Sequence, residues 1–215
     1  MINVRENLLK ITNKLLAEGL NHGATGNCSC RDRGGFLITP TGVDSSKLTT
    51  DMIVRMNLSG SFSELESKYQ PSSEWQFHQA ILKKYPEINA VVHTHSVFAS
   101  ALSTLGQGIP AFHYMIAVAG GDSIRCAPYA MFGTTELSNN ILVAIQDRKA
   151  CLLSNHGLVA MGKDLNEAFN IAQEVEHLSR LFVEAKKIGE PKLISKKQMM
   201  EVLNRFNSYS HWTKN

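Results

Sequence analysis

The stretch from Glu87 to Ser96 constrains this chain more than any other. Within it, Ala90-Val91-Val92 reads as a buried strand, and His93 and His95 follow at its end. Alternate strand residues face the same side and rise about 3.3 Å each, so the two imidazoles project together, about 6.6 Å apart along the chain. That separation suits two ligands converging on one ion. An isolated His-x-His also occurs in core packing and on surfaces. A metal reading therefore needs a third ligand from elsewhere, since three protein ligands and an open position make the usual catalytic zinc site.

The chain has 215 residues and 43% hydrophobic content, enough for one large core, and a single domain over 1–215 is expected. The net charge is +3, and the densest basic runs are no more than pairs, such as Lys83-Lys84, Lys186-Lys187 and Lys196-Lys197. That is a solvated surface, not a nucleic-acid patch with interleaved aromatics. No apolar run approaches the ~18 residues of a membrane span, and no basic-then-apolar leader opens the sequence. The expectation is a cytoplasmic protein with no nucleic-acid or membrane partner. Its four cysteines, Cys28, Cys30, Cys126 and Cys151, would then be free thiols, with Cys28 and Cys30 buried and inert on one strand face.

Val4, Leu8, Ile11, Leu15 and Leu16 fall at helical spacing before Gly19 and predict a helix over 3–19. The small polar loop Gly23–Ser29 offers backbone that can approach an anion, or is an ordinary turn. Phe36–Gly42 reads as a short strand running into a turn, Asp51–Met56 as another strand, and 57–70 as a surface hairpin or loop. Pro71-Ser-Ser-Glu74 opens a helix to about Lys84, with Ser72 as N-cap and Glu74 in the first turn. Orphan N–H groups at a helix start bind phosphate readily. Thr25-Gly26-Asn27, Thr41-Gly42 and Ser72-Ser73 would make a phosphate cradle if the fold joins them. Glu74 either favours the helix dipole by about 0.3–1 kcal/mol or serves as a base or metal ligand. His78, one turn on, either supports Glu74 or is a core histidine. His113 and Tyr114 are polar groups in an apolar setting, and Thr134 caps a helix running to about Gln146. Asn155-His156-Gly157 reads as a tight turn between strands and supplies His156 as the candidate third ligand. Asp164/Glu167 and Ser195/Gln198 resemble capping boxes opening the last two helices, and Tyr209, His211 and Trp212 form an aromatic tail.

Taken in order, Gly26-Asn27-x-Ser29, Ile38-Thr-Pro-Thr-Gly42, Pro71-Ser-Ser-Glu74, Val92-His-Thr-His95, His113-Tyr-Met-Ile-Ala117, Gly120-Gly121, Ala127-Pro-Tyr-Ala130, Phe132-Gly-Thr134 and Asn155-His-Gly157 resemble the class II aldolase/adducin family, closest to its fuculose-phosphate-cleaving members. The likeness runs from about residue 5 to 209. It implies a single three-layer α/β/α sandwich around a central, largely antiparallel mixed sheet. It also implies a zinc enzyme that cleaves a ketose 1-phosphate, L-fuculose 1-phosphate, to dihydroxyacetone phosphate and L-lactaldehyde through an enediolate. The residues it implies are His93, His95 and His156 as zinc ligands, and Glu74 as the acid/base group that also ligates zinc when substrate is absent. Gly26, Asn27, Thr41, Gly42, Ser72 and Ser73 match the phosphate pocket. Tyr114 matches a proton donor, and Phe132, Phe206 and Tyr209 match aromatics at the aldehyde end, some from an adjoining subunit of a homotetramer with interfacial sites.

Other readings share this pattern, among them a methylthioribulose-1-phosphate dehydratase, from which the Pro71-Ser-Ser-Glu-Trp75 context points away. A 5-deoxyribulose- or methylthioribulose-1-phosphate aldolase would keep the machinery and differ in the aldehyde pocket. A ribulose-phosphate 4-epimerase would resemble the chain but carry Asp where Glu74 stands. An adducin-like scaffold would have lost the ligands, all of which are present here.

Overall fold

Side-chain parity along the strands divides the molecule into two cores. The computed structural model describes residues 3–62 and 67–212, with side chains through residue 206. Its strands are β1 (Asn27–Asp32), β2 (Gly35–Ile38), β3 (Val54–Asn57), β4 (Ala90–Thr94), β5 (Arg125–Ala127), β6 (Ala150–Leu153) and β7 (Gly157–Gly162). They form one sheet in the order β3-β2-β1-β4-β7-β6-β5. Only the β5–β6 pair is parallel; the other ladders are antiparallel. Cys28, Cys30, Ala90, Val92, Leu152, Leu158 and Ala160 point to one face. Phe36, Ile38, Val91, Cys151, Leu153, Val159 and Met161 point to the other, as a period of two requires.

Helices cover both faces, giving the expected three layers. α1 (Val4–Ala17), α3 (Val97–Ser103) and the long α5 (Leu165–Ile188) bury Leu8, Ile11, Leu15, Ala99, Leu102, Phe169 and Val175 on the first core. α6 (Lys196–Trp212) adds Met199 to it. α2 (Trp75–Lys84) and α4 (Thr135–Ala144) bury Phe77, Ile81, Leu137 and Ile141 on the second. The caps read from sequence form: Thr134 accepts from the N–H of Leu137, Asp164 from that of Glu167, and Ser195 from that of Gln198. Cys28, Cys30, Cys126 and Cys151 are free thiols, and Cys28 and Cys30 are buried on one strand face. Burial pushes both of those thiols up to about 12.

Two local expectations are corrected, at the start of α2 and in the segment Asp51–Met56. Helix α2 begins at Trp75 with Glu74 as its N-cap residue, not Ser72. The Ser72 hydroxyl accepts from the Glu74 N–H (3.3 Å) and the Ser72 carbonyl from the Trp75 N–H (3.0 Å), which spends Ser72 on a turn ahead of the helix. The short strand read from Phe36 ends at Ile38 and runs, as expected, into a turn past Pro40 with Gly42 left-handed (φ 69°). In the segment Asp51–Met56, residues Thr50–Met52 form a 3-10 turn and β3 starts only at Val54.

Strand β1 holds α2 along its length. Asn27, Ser29 and Arg31 alternate onto one face about 6.6 Å apart, close to the 6.0 Å rise of four helical residues. Asn27 meets Glu74 and His78, Ser29 meets His78, and Arg31 donates to the carbonyl of Leu82 in the last turn of α2 and to those of Tyr85 (3.2 Å) and Ile88 (2.7 Å) beyond the helix end. A guanidinium there satisfies carbonyls that the helix leaves unpaired.

Candidate active site

The sheet register brings the histidines together. His93 lies opposite Asn27 of β1 and Val159 of β7, on the α2 face of the sheet. His95 follows the end of β4. His156 sits in the turn between β6 and β7, after Asn155 in the left-handed region (φ 56°). Gly157 makes that turn fit, because a Cβ there would lie 2.3 Å from the Thr94 carbonyl oxygen. Glu74 enters from the N-cap of α2. The result is four ligand atoms, from Glu74, His93, His95 and His156, all within 4.8 Å of one another.

The donors face inward. His93 Nδ1 donates to the Leu158 carbonyl at 2.8 Å, so in the neutral ring Nε2 presents its lone pair, 3.0 Å from His95 Nε2. Glu74 Oε2 lies 3.3 Å from His93 Nε2, and Oε1 lies 3.2 Å from His156 Nε2. Oε1 is buried without a hydrogen-bond partner, a costly state for a carboxylate oxygen that a cation would relieve. Burial opposes ionisation of Glu74, but His93 and His156 outweigh it and hold the carboxyl well below the usual carboxylate range. Burial also works against a charged His93, and Glu74 reverses that and raises it. Burial, then the charges of His93 and His156, push His95 down to about 3. The cluster thus welcomes one positive centre and resists a second on its rings. Three imidazoles and a carboxylate with an orphaned oxygen fit a divalent transition-metal ion such as zinc.

An open cavity of about 340 Å³ adjoins the cluster. Gly26, Asn27, Thr41, Gly42, Ser72 and Ser73 line it beside Glu74, His95, His156 and Phe132. The three dispersed polar segments therefore do meet. Tyr114 is half-exposed at the start of a 3-10 turn, and Phe206 lines a separate cavity with Ala117, Gly120 and Leu203; neither lines the first cavity within one chain. The side chain of Tyr209 lies outside the described residues.

Sequence reasoning passed over Asn21. This buried side chain accepts from the N–H of His95 (3.1 Å) and donates to the carbonyl of His93 (3.4 Å), clamping the backbone between the two histidines. It also explains Gly26, where a Cβ would lie 2.3 Å from Asn21 Nδ2. An asparagine in a loop between a helix and a strand carries no periodic signal, so nothing local marks it out.

Comparison with known proteins agrees with this geometry. The model of the class II aldolase and adducin N-terminal domain matches residues 6–183. A 5-methylthioribulose-1-phosphate/5-deoxyribulose-1-phosphate aldolase of Rhodospirillum rubrum is 43% identical over 97% of this chain and 93% of its own. An L-fuculose phosphate aldolase of Escherichia coli K12 is 47% identical over 89% of this chain and 88% of its own. A solved L-fuculose 1-phosphate aldolase superposes with a TM-score of 0.91 at 38% identity, covering 95% of this chain and 96% of that one. The chain belongs to the class II aldolase and adducin family. Within that family it is an aldolase, an enzyme of the lyase class.

Proposed function

We propose that the chain is a zinc-dependent aldolase that reversibly cleaves a ketose 1-phosphate, L-fuculose 1-phosphate, to dihydroxyacetone phosphate and L-lactaldehyde. The observation that carries this is the convergence of three imidazoles and Glu74, of which Glu74, His95 and His156 stand in the wall of a cavity also lined by Asn27, Thr41, Gly42, Ser72 and Ser73. The small polar residues bind the phosphate through hydroxyls, the Asn27 amide and backbone N–H groups before α2, and need no lysine. Holding the non-reacting end this way orients the reacting carbons. A divalent ion held by His93, His95 and His156 supplies Lewis-acid stabilisation of the charge that develops on the substrate oxygens.

Cleavage takes the proton from the C4 hydroxyl, breaks C3–C4, releases the aldehyde and leaves an enediolate that is protonated at C3. Glu74 moves the C3 proton, a role worth about 10²–10⁴-fold. Tyr114 handles the proton on the C4 oxygen. Its exposure, and its place outside the cavity lining of its own chain, fit a residue lent to the site of a neighbouring protomer in a homotetramer. Phe132, with Phe206 and Tyr209 from that neighbour, shapes the aldehyde end.

A second reading, cleavage of 5-deoxyribulose or methylthioribulose 1-phosphate, is favoured by the relative of that name, which matches 97% of this chain. It shares the phosphate and metal ends and differs in the aldehyde pocket alone. Measuring kcat/KM for the three sugars on zinc-loaded protein decides between them. L-Fuculose 1-phosphate is expected to lead, and a lead of tenfold or more by either of the others replaces the first reading with the second.

A further inference from the structure

Behind Glu74 the cavity wall contains a chain of buried polar side chains that metal and phosphate binding do not use in full. Ser29 Oγ lies 2.7 Å from His78 Nδ1, His78 Nε2 lies 2.5 Å from Asn27 Oδ1, and Asn27 Nδ2 lies 2.9 Å from Glu74 Oε2. All four side chains belong to residues no more than 7% exposed, and Ser29 and His78 are fully buried.

The donors and acceptors along this chain run in one direction only. An ionised carboxylate accepts and does not donate, so Asn27 must turn its NH₂ toward Glu74. Its carbonyl oxygen then faces His78, which must carry its proton on Nε2. His78 Nδ1 is left as an acceptor, and the Ser29 hydroxyl donates to it. The ring is neutral, since burial and then the nearby charge of His93 push it down to about 3. Reversing the Asn27 amide would set its oxygen against a carboxylate in a buried site, so the correct amide orientation depends on a donor at Oδ1. That donor is His78. Simple packing beside Phe77, whose ring stacks on His78 with centroids 4.5 Å apart, requires no such direction.

We propose that His78, oriented by Ser29, is a positioning residue that fixes the Asn27 amide so that its N–H donates to Glu74 Oε2 and aims the other carboxylate oxygen at the reacting atoms. This rests on the reading of Glu74 as the group that moves the C3 proton. Asn27 thereby joins the phosphate end of the cavity to the proton-transfer group through one side chain.

The test is deuterium exchange from D₂O into dihydroxyacetone phosphate, a partial reaction that reports C3 proton transfer alone. It is run on zinc-loaded wild type, Glu74→Gln, His78→Ala and His78→Gln, with zinc content measured on each. His78→Ala is expected to lower the exchange kcat about 10- to 100-fold, the range for residues that orient a ligand or reacting group, with KM changed far less and zinc still bound. His78→Gln can donate to Asn27 and accept from Ser29, and is expected to recover most of the loss. Wild-type kcat in His78→Ala, a rise in KM with kcat unchanged, or a His78→Gln variant no better than His78→Ala would each overturn the proposal. Should His78→Ala fail to fold, Ser29→Ala takes its place: it frees the ring to change tautomer, and a wild-type rate there counts against the proposal. If wild type shows no exchange, or Glu74→Gln exchanges like wild type, the reading of Glu74 has failed instead. The positioning is then judged from a crystal structure of His78→Ala, where a displaced Asn27 amide and Glu74 carboxylate support it and unmoved ones overturn it.

Discussion

Each residue around the histidine and glutamate cluster has a separable physical task. Gly157 allows β7 to pass the Thr94 carbonyl, where a Cβ would sit 2.3 Å from oxygen and 3.3 Å from the His95 ring. Gly157→Ala is expected to shift this crossing and cost about 1–3 kcal/mol, with reduced zinc content; an unchanged urea midpoint and full zinc would show that the contact relaxes freely. Asn21→Ala removes the partner of the His95 N–H and is expected to weaken zinc about 10- to 100-fold, as read by competition with a chromogenic chelator. His78 makes stability depend on pH. Burial first, and the charge of His93 second, lower it from 6.5 to about 3, so between those values the unfolded chain binds a proton that the folded chain refuses. Its contribution is complete above about 6.5 and is lost as pH falls toward 3, at no more than about 1.4 kcal/mol per pH unit. From pH 7 to 5 the wild type should lose about 1–2 kcal/mol more than His78→Gln in urea titrations at fixed protein concentration; equal losses would contradict it.

Elements were legible in the sequence where one face repeats. Helices α1 and α4 announce themselves by apolar spacing, and β4 by Ala90-Val91-Val92. Strand β1 was harder to read. Asn27, Ser29 and Arg31 give it a polar face because that face is hydrogen-bonded to α2, and its apolar face is made of cysteines. The start of α2 was misplaced because Ser72 and Ser73 carry the usual N-cap chemistry, while the cap position goes to Glu74, whose carboxylate turns to the histidines instead of the helix N–H groups. Where the cap does act on its helix the cost of losing it follows the usual range. Asp164→Ala removes the acceptor of the Glu167 N–H at the head of α5 and should cost about 0.5–2 kcal/mol, a fall of a few degrees in Tm for a chain of this size. No change in Tm would mean that packing alone holds the first turn.

At the scale of the whole molecule, one chain supplies the cluster and the small polar lining of the cavity, and it leaves Tyr114, Tyr129, Met131 and Phe132 at least half exposed. Among the described residues no helix is long and apolar enough to cross a membrane, so these side chains are not explained by a spanning segment. A homotetramer would cover them and bring Tyr114 to a neighbour's cavity. Sedimentation equilibrium is expected to give four times the 23.8 kDa chain mass, and a monomer at micromolar concentration would rule out a shared site. The ordered motifs marked out the three histidines and Glu74, which the fold brings together, because each lies beside a strand end, helix start or turn with its own local signal. Asn21 and the direction of the His78 chain were not readable, since they exist only through contacts between distant segments. The most direct measurement is release of dihydroxyacetone phosphate from L-fuculose 1-phosphate before and after chelation, with zinc restored afterwards and His93→Ala alongside. Release that stops with chelator, returns with zinc and is absent in His93→Ala is the predicted result. Release that survives thorough removal of metal, or none from zinc-loaded wild type on this sugar or the two alternative 1-phosphates, would contradict metal-dependent aldol cleavage at this site.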